Sequence, residues 1–386
     1  MCRVQTATDQ PRGGAVRRPV RTFKACRLPT SFSHRWHQQY PLPVPYLTPP
    51  DELADLFPDE APFRAKQLRH WLYRRPTLDT GSMTDLPPAM RATLENRLWP
   101  FEVEVEQTAD DGATVKWLFR TPDGAAIEAV LMGYPRRTTL CISSQVGCAL
   151  ACSFCATGQF GFERHLQAGE IVAQIAYAQA FLREIGLTVG PNRLTNIVFM
   201  GMGEPLANYD RVRESIRLIV DEMEMSPRRL TVSTVGLVPG MLRLADEPWP
   251  LNLAVSLHAA DDNLRNKLVP INKRYPLADV EAAAANFFER KGRRVSIEWT
   301  LIEDVNDTLE QASKLAAIAG RLGAHVNVIP LNATPLSQDR PSQKAQIETF
   351  VRYLRSVDVN VTIRDTRGSD IDAACGQLRA VQSGTP

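Results

Sequence analysis

Short apolar runs alternate with amphipathic segments along most of the chain beyond Thr138. The amphipathic segments, such as residues 171–182, have the spacing of apolar positions that indicates helices, whereas the apolar runs have the length of buried strands. Strands that alternate with helices form a parallel sheet, so we predict an α/β fold, either a full or a partial β/α barrel. In such a barrel the chemistry gathers at the carboxyl ends of the strands. The predicted strands are residues 140–142, 196–200, 230–233, 251–257, 295–301, 326–329 and 359–363.

The pattern before these runs is different. Between residues 53 and 100 the apolar positions recur at helical spacing, which predicts a small helical module. Residues 115–120 and 126–132 have the composition of strands and flank the turn dipeptide Asp123-Gly124, which predicts a hairpin. The expected organisation is a basic tail at residues 1–45, a helical accessory domain at 46–105 and a β/α barrel core with a C-terminal catalytic loop at 106–386.

Composition and charge add little about partners. Residues 1–45 hold eight Lys or Arg against one acid, Asp9, and are rich in Pro and Gly, which favours a disordered tail that either contacts RNA phosphates or is a passive extension. The whole chain has 45 Lys and Arg against 43 Asp and Glu, so its net charge of +2 does not indicate a polyanionic partner. No run of about 18 apolar residues and no secretory apolar core are present. We therefore expect a cytoplasmic protein that does not associate with membranes.

Three of the seven cysteines stand close together directly after the first predicted core strand. Cys148, Cys152 and Cys155 have the spacing C-x3-C-x2-C, and three thiolates from one short loop can hold three irons of a [4Fe-4S] cluster and leave the fourth iron open to another ligand. Structural zinc with His165 as the fourth ligand is the alternative. Zinc sites prefer paired cysteine elements and closed four-ligand shells, so the spacing favours the cluster.

This spacing is the signature of the radical S-adenosylmethionine (SAM) superfamily, and the wider sequence resembles the RlmN family of dual-specificity RNA methyltransferases. The resemblance extends from about Leu53 to Gly376. It implies a radical SAM-type partial β/α barrel in which the open iron binds the amino and carboxylate groups of SAM. The matching stretches are FRAKQLRHWLY from Phe63, CISSQVGCALACSFCATG from Cys141, GMGEP from Gly201, LTVSTVG from Leu230, SLHA from Ser256, VIPLN from Val328 and DIDAACGQL from Asp370.

The predicted SAM contacts lie at the ends of predicted strands. Gly203 and Glu204 follow one of these strands, where glycine lets the backbone approach a ligand and a carboxylate accepts hydrogen bonds from an ammonium group. By resemblance this loop holds the SAM amino group. Each polar contact residue has an ordinary alternative role, which is to satisfy the backbone of its own loop. The further contacts that the resemblance implies are Ser233, Ser256, Leu257, His258 and Asn332.

Two cysteines outside the triplet are candidate catalytic residues. Small neighbours surround Cys375, which suits an exposed nucleophile on a mobile loop, although a buried, inert cysteine is the alternative. The resemblance implies that Cys375 takes a methyl group from one SAM and that a second SAM supplies the radical that activates this methyl group for addition to adenine C2. Cys141 then resolves the covalent protein–RNA adduct by forming a disulfide with Cys375, so turnover requires a reductant.

Glu128 is the candidate proton acceptor for the adenine hydrogen. It shares one strand face with Val130 and Met132, and if that face is covered, desolvation raises the pKa of the carboxyl group and makes it a better base. A surface glutamate is the alternative, and the resemblance favours catalysis. Arg364 and Arg367 are one of several basic pairs that either contact phosphates or are solvated surface.

The resemblance also implies substrates and partners. The substrates would be an adenosine in the peptidyl transferase region of 23S rRNA and adenosine 37 of tRNAs, the electron donor would be a flavodoxin or ferredoxin, and the enzyme is expected to be a monomer. Cfr-like methylation at C8 of the same rRNA adenosine uses the same five cysteines and is the nearest alternative. A radical SAM enzyme acting on a peptide or small molecule, or a zinc-stapled RNA-binding protein, is a more distant alternative.

Overall fold

The computed structural model describes residues 44–334, 337–364 and 367–378. The predicted basic tail, with Cys2 and Cys26, lies outside these residues except for positions 44 and 45. No helix in the described ranges combines the length and apolar character that crossing a bilayer requires.

The strands are β1 (Glu102–Ala109), β2 (Thr114–Arg120), β3 (Ala126–Tyr134), β4 (Arg137–Cys141), β5 (Gln145–Gly147), β6 (Phe162–His165), β7 (Asn196–Phe199), β8 (Leu230–Thr234), β9 (Asn252–Ser256), β10 (Ser296–Leu301), β11 (His325–Pro330) and β12 (Val361–Ile363). Ten of them form one sheet in the order β1-β2-β3-β4-β7-β8-β9-β10-β11-β12, and β5 pairs with β6 in a separate ribbon. The pairs from β1 to β4 are antiparallel, and those from β4 through β12 are parallel. Within the described residues β12 pairs only with β11, so the barrel is partial, as predicted.

The helices connect the parallel strands or belong to the N-terminal region. They are α1 (Phe63–Arg69), α2 (Pro88–Leu94), α3 (Ala156–Gln159), α4 (Ala168–Glu184), α5 (Tyr209–Asp221), α6 (Val238–Asp246), α7 (Asp262–Leu268), α8 (Leu277–Lys291), α9 (Leu309–Leu322) and α10 (Lys344–Ser356). Short 3₁₀ turns complete the N-terminal region, including Pro45–Leu47 and Pro50–Leu56.

Burial explains why these segments adopt this arrangement. In β10 every residue after Ser296 is buried, as expected for a parallel strand that is covered on both faces. Helix α4 begins with a capping box, in which Gln167 and Glu170 satisfy each other's backbone N–H groups. Helix α9 begins after Thr308, whose side chain accepts a hydrogen bond from the Gln311 amide.

The predicted α/β fold is confirmed, and each predicted core strand has a counterpart. The predicted hairpin is the β2–β3 pair. Strands β1, β5 and β6 were not predicted from the sequence. The predicted domain boundary between residues 105 and 106 falls inside β1, and the division into accessory and core domains stays a prediction.

The N-terminal region packs closely on helix α4. The Tyr46 hydroxyl donates to the Leu72 carbonyl oxygen at 2.8 Å, and the Tyr46 ring stacks on Trp99 at 5.2 Å. Gly169 lies against this segment, because a Cβ atom at position 169 would lie 1.9 Å from the Tyr46 carbonyl oxygen. Only glycine therefore permits the observed approach of helix and turn.

Replacing Gly169 by alanine is expected to lower the free energy of unfolding by about 1–3 kcal/mol, because overpacking of this kind forces the backbone to shift. The matched control is Gly320→Ala in helix α9, where the added Cβ meets no heavy atom within 4 Å. The control should raise stability by up to about 1 kcal/mol, the helix-propensity difference between the two residues. Urea denaturation followed by tryptophan fluorescence measures both effects, and equal effects would contradict the close contact.

Candidate active site

An open cavity of about 700 Å³ lies at the carboxyl ends of the strands. It brings together Cys141 at the end of β4, Cys155 in the cysteine loop and Cys375 in the C-terminal segment. Cys375 is far from the other two cysteines in sequence, and all three meet at the carboxyl ends of the strands, where the chemistry of such a barrel is expected to gather. Other residues of the lining are Met132, Tyr134, Thr157, Met200, Gly201, Ile329, Asn332, Arg364 and Arg367.

The cysteine loop connects β5 to β6. The ribbon closes the base of the loop, where the Cys148 amide donates to the Gly161 carbonyl oxygen at 2.7 Å. Cys152 is buried in a small apolar cluster that includes Leu268 and Ile302. Desolvation raises the pKa of Cys148 to about 12 and also raises the pKa values of the other two thiols. Cys155 additionally raises the pKa values of Cys148 and Cys152 through charge repulsion, and Cys148 raises that of Cys152, so the three thiols are neighbours.

These thiols fit a polynuclear cluster better than a single ion. Among the described residues, no three His, Cys, Asp or Glu side chains converge closely enough to hold one metal ion. His165, the fourth ligand of the zinc alternative, instead has its Nδ1 atom 3.0 Å from Gln145 Nε2. Cysteine binds a metal as the thiolate. Metal binding must therefore displace the protons that the raised pKa values keep on these thiols. A loop with three desolvated thiols suits the three-cysteine ligation of an iron–sulfur cluster.

The C-terminal segment is docked on this loop by hydrogen bonds. The Ala156 amide donates to the Gly376 carbonyl oxygen at 2.7 Å, and the Thr157 hydroxyl donates to the Leu378 carbonyl oxygen at 2.6 Å. Asn332 Nδ2 donates to the Cys375 carbonyl oxygen at 3.0 Å. Together these bonds hold the exposed Cys375 at the mouth of the cavity.

Cys141 and Cys375 share one guanidinium group. Burial, with a smaller contribution from the nearby Cys375, raises the pKa of Cys141 to about 12. Arg364 acts in the opposite direction and lowers this pKa. Cys375 in turn raises the pKa of Arg364, which also lies 3.3 Å from the Glu298 carboxylate and 3.7 Å from the Met200 sulfur. The sequence left open whether Arg364 and Arg367 contact phosphates or are solvated surface residues. The structure buries most of the Arg364 side chain within the cavity.

Glu128 is buried beside the cavity but does not line it. Its Oε1 atom lies 3.1 Å from Lys116 Nζ, and this ion pair offsets the desolvation of both groups. Lys116 Nζ also donates to the Asp372 carbonyl oxygen at 3.4 Å. The expected burial is therefore present, and an ammonium group that sequence analysis missed joins Glu128 to the segment that carries Cys375.

Gly203 and Glu204 form a buried acidic turn at the end of β7. Gly203 has a φ of +96°, and a Cβ atom there would lie 2.4 Å from the Gln145 Cβ, so only glycine fits. The Glu204 carboxylate accepts hydrogen bonds from the amides of Leu206 and Val235, both at 3.0 Å. Burial raises the pKa of Glu204 to about 7 despite these bonds, and a bound ammonium group would supply the missing opposite charge.

The other predicted SAM contacts divide into two groups. The hydroxyl oxygens of Ser233 and Ser256 lie 3.4 Å apart where β8 and β9 end. His258 is buried with its Nδ1 atom accepting from the Thr300 amide at 3.0 Å, and burial followed by Arg265 lowers its pKa to about 3, so it is neutral at physiological pH. Leu257 is buried next to it. Asn332 stands apart from these residues and contacts the Cys375 backbone in the cavity.

Comparison with known proteins decides what kind of site this is. Residues 142–316 match the family model of the radical SAM superfamily, and residues 50–99 match that of the ribosomal RNA large subunit methyltransferase N-terminal domain. A probable dual-specificity RNA methyltransferase RlmN from Thermobifida fusca is 50% identical over 349 residues, which cover 86% of this chain and 95% of that protein. The chain belongs to the RlmN family of radical SAM methyltransferases.

Further similarities agree with this membership. A probable dual-specificity RNA methyltransferase RlmN from Salinispora arenicola is 50% identical over 330 residues, with 84% of this chain and 87% of that protein covered. The crystal structure of a radical SAM methyltransferase from Sphaerobacter thermophilus has a TM-score of 0.82 and 48% identity, and the match covers 88% of this chain and all of that one. The predicted family, radical SAM-type fold and enzyme class are confirmed. Membership of the superfamily implies SAM and an iron–sulfur cluster.

The raised pKa of Glu204 predicts how the stability of this RlmN-family protein depends on pH. Between 4.5, the usual pKa, and about 7, the folded protein binds more protons at this residue than the unfolded chain does. The free energy of unfolding contributed by Glu204 therefore falls as pH rises through this window, and Glu204→Gln removes that loss. The variant, measured without cluster or SAM, should gain stability relative to the parent as pH rises from about 4.5 to about 7.

Urea denaturation of parent and variant across this window measures the difference. Glu289→Gln, at an exposed position of helix α8, is the control and should show no such trend. A parent-to-variant difference that stays constant with pH would contradict the buried, desolvated state of Glu204.

Proposed function

We propose that this enzyme methylates C2 of a specific adenosine in 23S rRNA and of adenosine 37 in tRNAs, by way of an S-methylcysteine and a covalent protein–RNA intermediate. The observation that carries the proposal is the presence of Cys141, Cys155 and Cys375 in one cavity. Adenine C2 is an electron-poor carbon, so direct transfer of an electrophilic methyl group to it should fail. A cysteine that first carries the methyl group, next to a radical-generating centre, avoids this difficulty.

The cluster and SAM have defined places in this proposal. Cys148, Cys152 and Cys155 would hold a [4Fe-4S] cluster, which when bound supplies the single electron that splits the SAM sulfonium. Glu204 would accept hydrogen bonds from the SAM ammonium group, and its buried position without a cationic partner among its bonded neighbours supports this role. Gly203, Ser233, Ser256, Leu257, His258 and Asn332 would complete the contacts, and two SAM molecules would be used in each turnover.

Cys375 is the proposed methyl carrier. Its exposure at the cavity mouth lets it meet both reagents, and the positively charged Arg364 guanidinium lies near it. The Cys375 thiolate would take the methyl group of the first SAM, whose remainder leaves as S-adenosylhomocysteine. One hydrogen atom of this methyl group would then pass to the radical that a second SAM supplies, and the resulting carbon radical, still bound to the sulfur, would bond to adenine C2.

Cys141 and Glu128 are proposed to release the product. Glu128, held by Lys116, would accept the hydrogen of adenine C2 as a proton. Cys141 lies within electrostatic range of Cys375, so its sulfur is placed to form a disulfide with Cys375 while the methylated RNA leaves. Two electrons from a reductant would then restore both thiols.

One feature of the cavity supports an RNA substrate. The Tyr134 ring lines the cavity and makes cation–π contacts with two guanidinium groups. That of Arg137 lies 4.3 Å and that of Arg367 lies 5.2 Å from the ring centroid. Aromatic rings with arginines stack on unpaired bases and bind phosphates, as enzymes that act on a flipped nucleotide require. A flavodoxin- or ferredoxin-type donor and a monomeric state complete the proposal and rest on the resemblance. A cytoplasmic location and a separate accessory domain at residues 46–105 are also proposed, and they rest on the composition and on the pattern of apolar positions.

The test is nucleoside analysis of RNA incubated with anaerobically prepared enzyme and SAM. The parent enzyme should produce 2-methyladenosine in both 23S rRNA and tRNA, measured by mass spectrometry against standards for 2-methyladenosine and 8-methyladenosine. Cys375→Ala should give neither product nor adduct, because the carrier sulfur is missing. Cys141→Ala should accumulate protein crosslinked to RNA, because the adduct forms and is not resolved.

The two cysteine variants serve as controls for each other, since both remove one thiol from the same cavity. Formation of 8-methyladenosine would replace the proposal with the Cfr-like alternative. Full turnover by Cys375→Ala would contradict the covalent mechanism altogether.

A further inference from the structure

A guanidinium group without a direct anionic partner is buried behind the cysteine loop. Arg265 has no exposed surface. Its Nε atom donates to the Leu257 carbonyl oxygen at 3.0 Å, and Nη1 donates to Asn272 Oδ1 at 2.7 Å. Its Nη2 atom donates to the carbonyl oxygens of Val235 and Ser256, at 2.5 and 3.3 Å. All four acceptors are uncharged.

The guanidinium group therefore has no directly bonded counter-charge. In the part of the chain that the structure describes, no carboxylate forms an ion pair with Arg265 within 4.0 Å. Burial lowers the pKa of Arg265 to about 10, so the group still carries its proton at physiological pH. A buried charge is strongly unfavourable unless an opposite charge approaches it. The thiol of Cys152, a predicted cluster ligand, makes the largest favourable electrostatic contribution to Arg265, and the Asp262 carboxylate, which accepts a hydrogen bond from Asn272, makes a smaller one.

The helix that carries Arg265 is fastened to the cysteine loop. At the end of α7 the Leu268 carbonyl oxygen accepts a hydrogen bond from the Ser153 amide at 3.2 Å. Leu268 also packs with Cys152 and Phe154 in the same apolar cluster. Arg265 thus has a fixed position relative to the thiol of Cys152.

The same guanidinium group reaches the predicted SAM-binding turn. The Val235 peptide unit accepts from Arg265 through its oxygen, and the Val235 amide donates to Glu204 Oε2. Val235 therefore links Arg265 to Glu204 by one hydrogen bond on each side.

We propose that Arg265 is a positioning residue whose fixed positive charge stabilises the reduced form of the iron–sulfur cluster. The inference rests on the proposed ligation by Cys148, Cys152 and Cys155. Three thiolates give the oxidised cluster a net negative charge, and the single electron delivered by a low-potential protein donor adds one more. No other bond forms or breaks in that step, so a nearby cation makes the reduction more favourable.

A purely structural role would be to tie the ends of β8 and β9 together, and two substitutions separate it from the charge role. Arg265→Gln keeps hydrogen-bonding groups but removes the charge. Arg265→Lys keeps the charge but loses most of the hydrogen bonds. If the charge matters, the reduction potential changes in Arg265→Gln and not in Arg265→Lys. If the hydrogen bonds matter, Arg265→Lys is affected at least as much as Arg265→Gln.

The experiment is a redox titration of the anaerobically purified full-length protein, followed by electron paramagnetic resonance, with iron and sulfide content measured on each sample. Arg265→Gln should lower the equilibrium constant for reduction at least tenfold, about 59 mV for one electron, whereas Arg265→Lys should titrate close to the parent. Arg290→Gln removes an exposed arginine that is ion-paired with Asp246 and should leave the potential unchanged.

Two results would overturn the inference. One is a parental potential in Arg265→Gln that retains its iron and sulfide. The other is a decrease of tenfold or more in the equilibrium constant for reduction in Arg265→Lys. This second result applies even if Arg265→Gln does not fold. If the parent protein holds no cluster, both the proposed function and this inference fail. If Arg265→Gln has the parental potential and still methylates RNA, only this inference fails.

Discussion

The docking of the C-terminal segment on the cysteine loop is the interaction on which the site depends. The bonds from Ala156 to Gly376 and from Thr157 to Leu378 join two parts of the chain that are about 220 positions apart. They hold Cys375 next to Cys141, which stands at the end of β4, and next to Cys155. Without this docking the predicted methyl carrier and its resolving partner would have no common cavity. A parallel sheet makes the docking possible, because β4, β7 and β11 all end at the same edge.

Desolvation gives this cavity its chemical character. Burial raises the pKa values of Cys141, of the three thiols of the cysteine loop and of Glu204. Each of these groups therefore needs a partner before it can carry charge. Inside the protein, Lys116 pairs with Glu128, and Arg364 and Arg265 favour the charged forms of Cys141 and Cys152. For Glu204 and the cysteine triplet the partners would be the ammonium group of SAM and the iron of a cluster. The site is thus arranged so that ligands, rather than protein side chains, complete its charge balance.

Much of the fold was predictable because each parallel strand is an apolar run and each crossover helix has one apolar face. The three-residue strand β5 was too short to be recognised, although it closes the loop that carries the cysteines. The triplet Cys148, Cys152 and Cys155 was readable from its spacing, whereas the roles predicted for Cys141 and Cys375 came from the family resemblance. The roles of Lys116, Arg265 and Arg364 were not readable, because a single basic residue has the same local pattern whether it is buried or solvated. Only tertiary packing distinguishes the two cases, and for Glu128 it revealed a partner that changes its environment.

The central claim is that Cys148, Cys152 and Cys155 hold a cluster with one iron open to SAM. The most direct measurement is electron paramagnetic resonance of the reduced, anaerobically purified protein with and without SAM, together with iron, sulfide and zinc analysis. The account predicts four irons and four sulfides per chain, the composition of a [4Fe-4S] cluster, with a spectrum that changes when SAM is added and that is lost in the Cys148→Ala, Cys152→Ala, Cys155→Ala triple variant. Stoichiometric zinc without iron, or RNA methylation that survives in the triple variant, would contradict it.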